Sequence, residues 1–88
     1  MPKLSRFYGI EISIRAREAN HPRPHFHASY GEHEASIAID DLAVLAGFLP
    51  GRALEMALAW AAIHRDELRA AWDALRGGNI PNKIPPLP

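Results

Sequence analysis

The chemistry-bearing residues of this chain crowd into one stretch, His21-Pro22-Arg23-Pro24-His25-Phe26-His27. Three imidazoles fall within it, two of them at i, i+2 spacing, and an arginine sits between two prolines. Proline fixes φ and drives the preceding residue out of the α region, so the approach to His25 is stiff and extended. In a strand that starts at His25, the side chains of His25 and His27 leave on the same side. Two neutral imidazoles on one face suit zinc, copper, nickel or iron. A metal site needs at least a third ligand, and His21, Glu11 and His64 are the candidates. The metal set read from the motif is therefore His21, His25 and His27 around a divalent transition metal. The same pair, with Arg23 and Ser29, can bind phosphate. Paired histidines can also do acid–base work on a phosphodiester, which makes His25 and His27 the candidate catalytic residues. No activated serine, glycine-rich phosphate loop or carboxylate dyad accompanies them, and the spacing differs from helical H-E-x-x-H and finger patterns. The plainer alternative is a pair of surface histidines on the open face of a sheet.

The elements that must position these residues follow from periodicity. Phe7 to Arg15 alternates, with Tyr8, Ile10, Ile12 and Ile14 on one side, and reads as a strand. Residues 16–24 read as a loop. His25–Tyr30 and His33–Ile39 flank Gly31-Glu32, a Gly-X pair suited to a II′ turn. That turn pairs Tyr30 with His33, Ala28 with Ala35 and Phe26 with Ile37, a buried face that Ile39 extends. On the other face His25 meets Ala38, His27 meets Ser36, and Ser29 meets Glu34. A slip of one residue would turn every side chain over. Asp40-Asp41 reads as a turn, and residues 42–49 as a short further strand cut off by Gly47 and Pro50.

Helical spacing begins at Pro50 or Gly51 and meets no Gly or Pro from Arg52 to Arg76. Leu54, Leu58, Ala61, Leu68, Trp72 and Leu75 form a stripe, with Ala57, His64 and Ala71 beside it. A single helix over 51–76 would run roughly 39 Å, long for a small sheet, so a break near His64-Arg65-Asp66 is the alternative. His64, at the stripe's edge, reads as a binding residue or as a packed, hydrogen-bonded link from helix to sheet. Gly77-Gly78 ends the helix. The tail, 79–88, carries four prolines with Ile80, Ile84 and Leu87 between them, and is either folded back or a docking strip. The fold read from the sequence is α+β. It is a small, mostly antiparallel sheet of three to four strands (about 5–48), one long or two consecutive C-terminal helices (about 51–76), and a Pro-rich tail, in one domain spanning 1–88.

Composition narrows the partners. The chain has 88 residues, no cysteine and a net charge of zero. Disulfides and thiolate metal sites are therefore excluded. No apolar run approaches a membrane span, and the expected setting is soluble and cytoplasmic. The charge is unevenly spread: residues 1–27 hold Lys3, Arg6, Arg15, Arg17 and Arg23 against Glu11 and Glu18, and acids exceed bases in the remainder. That basic end offers an anion-binding face, although overall neutrality argues against tight non-specific binding to nucleic acid.

Several short pieces together carry a resemblance. They are Arg6-Phe-Tyr-Gly-Ile10, Pro24-His-Phe-His-Ala28, Tyr30-Gly31 with Glu34-Ala35, Leu49-Pro50-x-Arg52-Ala-Leu54, Trp60, His64-Arg65-x-Glu67-Leu68 and Trp72. The combination resembles the small bacterial domain-of-unknown-function family numbered four-one-six-zero, from Pro2 to Leu87. Arg23 stands where that family often shows a second proline. The resemblance implies no reaction. It implies a short bacterial protein often encoded beside another small protein of unknown function, an arrangement similar to toxin–antitoxin or regulator pairs. It also marks His25, Phe26 and His27, with His64 and Arg65, as the motif residues. The expectation is a binding module whose partner is the neighbouring gene product or a second copy. A metal- or phosphate-binding hydrolase or nuclease is the second reading, and a nucleic-acid-binding regulator the third.

Overall fold

The computed structural model describes residues 3–15 and 23–88. Among these described residues five antiparallel strands form one sheet in sequence order: β1 (Lys3–Phe7), β2 (Ile10–Ser13), β3 (His25–Tyr30), β4 (His33–Ala38) and β5 (Val44–Gly47). Two helices follow, α1 (Gly51–Ile63) and α2 (Arg65–Arg76). The α+β reading holds, with more strands than the three or four expected.

The additional strand comes from a hairpin inside the stretch read as continuous. Phe7 pairs with Ile10, leaving Tyr8-Gly9 as a two-residue turn. Both turn residues have positive φ, 48° and 80°, the signature of a I′ turn. Tyr8 is therefore an exposed turn residue rather than a member of the isoleucine face. Ile10, Ile12 and Ile14 are fully buried as expected.

The β3–β4 register is the expected one, from His25↔Ala38 to Tyr30↔His33. Gly31 has φ 60° and Glu32 does not share the positive sign, as a II′ turn requires. Phe26, Ala28, Ala35, Ile37 and Ile39 are buried. Tyr30 differs from expectation: at the end of the ladder it stays partly exposed, its ring lying over Gly9. β5 continues the sheet across a bulge, pairing Ile37 with Val44 and Ser36 with Ala46, so that Leu45 is the extra residue.

α1 covers the isoleucine face. Its buried residues are Ala53, Ala57, Trp60 and Ala61, an i, i+4, i+7, i+8 stripe. The leucines placed at the centre of the expected stripe, Leu54 and Leu58, are only partly buried. Three alanines allow the helix close to the sheet, and the single large residue, Trp60, reaches Phe7 (centroids 5.6 Å) and Phe26 (6.1 Å). The helical stretch is two helices, broken at His64 (φ −111°, ψ 26°). α2 then turns Leu68, Ala71 and Trp72 inward.

The tail folds back. Ile84 is buried in the same core, its N–H donates to the Leu4 carbonyl (2.8 Å), and Trp60 Nε1 donates to the Pro85 carbonyl (2.8 Å). Leu75 and Leu87 pack against the core, while Ile80 remains exposed.

Candidate functional site

His25 and His27 stand on the face opposite Phe26, as the alternation requires, but that face is not open at their positions. His25 is 6% and His27 4% exposed. His27 is flanked across the ladders by Ser13 on β2 and Ser36 on β4, and its Nδ1 lies 3.3 Å from Ser36 Oγ and 3.3 Å from Glu34 Oε2. Glu34 also holds Arg15 at 2.7 Å. His25 Nδ1 lies 2.9 Å from the Arg23 carbonyl; a carbonyl only accepts, so that nitrogen carries the proton. The two rings meet edge to face at 5.3 Å, and the His25 ring lies 5.2 Å from Trp72.

This corrects the picture of surface histidines. His25 begins β3, and α2 closes that end of the sheet by setting Trp72 on His25 and Arg69 on Asp40 (3.2 Å) just beyond β4. The motif is thus a joint between β3, β4 and α2. Each imidazole has one nitrogen held by an oxygen, the arrangement that fixes ring orientation and tautomer in both structural and ligating histidines.

The remaining predicted residues separate. Arg23 is exposed and pairs with Asp41 at 2.7 Å. The Asp41 carboxyl is held below its ordinary value, first by the Ala43 N–H (3.0 Å) and then by Arg23. Ser29 is half-buried opposite Glu34. His64 sits at the helix break, away from this cluster. Its ring lies 5.4 Å from Trp60 and its Nδ1 meets Glu67. It therefore links α1 to α2 rather than helix to sheet. Glu67 is the third residue of α2, so the pair ties the helix break to the first turn of α2. His21 lies outside the described residues. Among the described residues no three His, Asp or Glu side chains gather as a metal-ligand set.

One candidate surface was not singled out from the sequence. All four residues of β5 are exposed, and Phe48 follows at 61%. Val44 (43%) and Leu45 (38%) add to an uncharged apolar edge, and Phe48 stacks on His33 at 5.5 Å. β5 ends the strand order, so among the described residues no further strand faces its outer backbone groups. The opposite edge, β1, is covered by the tail through Ile84. The available signal was the charge-free run Leu42–Leu49, since an edge strand is usually blunted by a charge or proline.

No helix among the described residues is long and apolar enough to cross a membrane. Comparison with known proteins yields one family: the model for "Domain of unknown function (DUF4160)" matches residues 9–73, and the chain belongs to that family. No curated protein and no solved structure matches it.

Proposed function

For this member of a family without an assigned reaction, we propose that the chain is a protein-binding module. It takes an extended segment of a partner protein as a sixth strand along β5. The partner is the product of a neighbouring small gene, in a toxin–antitoxin-like or regulatory pair. The observation that supports this reading is the asymmetry of the two sheet edges. The chain's own tail covers β1, whereas β5 is bare and apolar. An added strand gains backbone hydrogen bonds from such an edge, with side-chain recognition supplied by Val44, Leu45 and Phe48. The burial of His25 and His27 supports placing recognition at the edge and a fold-holding role at the motif.

The test is co-expression with the neighbouring gene product, followed by solution mass from light scattering. A one-to-one complex is expected with the native chain. Val44→Lys with Leu45→Lys should abolish it while leaving the circular dichroism spectrum unchanged, because both side chains are already exposed. A complex that survives both charges would reject the edge as the docking surface. Absence of any complex with the native chain would reject the partner assignment.

A further inference from the structure

We propose that the groove between the β1–β2 turn, the start of α1 and the C-terminal tail binds an extended, proline-rich segment of a partner protein. The groove offers about 590 Å³ and is lined by Tyr8, Tyr30, Pro50, Arg52, Met56 and Leu87. These side chains converge from distant parts of the chain. Tyr8 stands on the turn after β1, and the ring of Tyr30, at the end of β3, packs against Gly9 of that same turn. Arg52 and Met56 lie one helical turn apart on α1, beside the buried Ala53. Leu87 comes from the tail and packs against the core.

Two observations favour proline as the ligand. First, the fold already holds such a segment here. Pro85-Pro86-Leu87-Pro88 runs into the groove, and Trp60 Nε1 donates to the Pro85 carbonyl at 2.8 Å. A proline-rich stretch has few N–H groups. It is recognised through its carbonyls by ring N–H and O–H donors, and through its pyrrolidine rings by aromatic faces. Beyond Leu87 the groove presents what that recognition uses, two phenol rings with a hydroxyl each. Second, Tyr8 holds φ 48° in a turn that favours Asn, Asp or Gly. A bulky residue there is strained, and the strained position sets an exposed ring on the groove.

Arg52 is the single charged side chain on the lining, and among the described residues no carboxylate pairs with it. The segment that fits therefore carries an acidic residue beside its prolines. A stiff, preformed PPII chain loses little conformational entropy on binding, so an open groove of this size can hold it. The inference stands apart from the edge-binding reading, since β5 supplies no residue to this groove.

The test is fluorescence anisotropy of a labelled decapeptide of prolines with one leucine and one glutamate, titrated with the full chain. Saturable binding is expected, and a peptide with glycine in place of each proline should bind about tenfold more weakly or worse. Tyr8→Asn suits the turn, so it should keep the native circular dichroism spectrum and thermal midpoint. It should nevertheless weaken binding about tenfold or more, as loss of an aromatic anchor does. Tyr30→Thr should weaken it similarly. Arg52→Gln should remove the preference for the glutamate peptide over its glutamine counterpart, and a preference that survives would overturn the acidic assignment. Val44→Lys with Leu45→Lys should leave binding unchanged. No saturable binding at millimolar concentration would overturn the proposal. So would equal binding of the glycine peptide, or binding that ignores Tyr8 and Tyr30. Binding lost on charging β5 would place the peptide along the sheet edge and reject the groove. Self-association without peptide, abolished by Tyr8→Asn, would give the groove to the tail of a second copy and overturn the partner assignment.

Discussion

At the scale of single residues, the histidine pair shows how a motif suited to chemistry can serve the fold. His25 satisfies the Arg23 carbonyl and gives Trp72 a ring to pack on. These two roles can be separated by substitution. His25→Phe keeps a ring against Trp72 and removes the Nδ1 donor, and should cost about 1 kcal/mol, the net worth of one hydrogen bond. His25→Ala also removes the ring and leaves a void beneath Trp72, so its cost should be clearly larger. Urea unfolding of the three proteins checks the order. Equal costs for the two variants would show that the hydrogen bond, and not the packing, is what the position contributes. The identity of the face was legible from alternation alone. Its burial was not, because the residue that covers His25 lies 47 positions later, on a helix whose direction is set only by the break at His64.

At the scale of elements, local chemistry decides what a sequence reveals. The β3–β4 hairpin was legible because Gly31-Glu32 specifies both the turn and the register. The β1–β2 hairpin was hidden because a run from Phe7 to Arg15 keeps an alternating appearance across it. A two-residue turn puts Phe7 and Ile10 on one face, whereas a continuous strand would put them on opposite faces. The signal was the pair of apolar residues flanking Tyr8-Gly9, with the tyrosine forced to φ 48°. That value is uncommon for a bulky side chain. β5 depends on one glycine in a similar way. Gly47 has φ 80°, and a Cβ placed there would lie 2.1 Å from the Glu34 carbonyl oxygen. Gly47→Ala should therefore cost more than the 1–2 kcal/mol of a left-handed alanine, about 2 kcal/mol or above, and loosen β5 from β4. Amide hydrogen exchange would show the loss as faster exchange at Phe48, whose N–H bonds to the Glu34 carbonyl. Protection unchanged there, with stability intact, would mean that the strand accommodates the methyl by shifting as a unit.

At the scale of the whole molecule, the last ten residues belong to the core. A chain this short buries a modest fraction of its surface, and each contribution weighs heavily. The tail supplies Ile84 to the core, an acceptor for Trp60 Nε1, and a cover for the β1 edge. A chain ending at Gly78 would lose burial of one isoleucine, about 1.5–3 kcal/mol, and would leave a buried indole N–H unpaired, about 1–3 kcal/mol more. Relative to a typical domain stability of roughly 5–15 kcal/mol, this is a severe loss. The truncated chain should show a lower urea midpoint. It should also self-associate, because β1 then joins β5 as an uncovered edge. The association should follow β1, so charges on Val44 and Leu45 in the truncated chain should not suppress it. A truncated chain as stable and monomeric as the full one would show that the tail is dispensable to the core, and that β1 resists pairing without it.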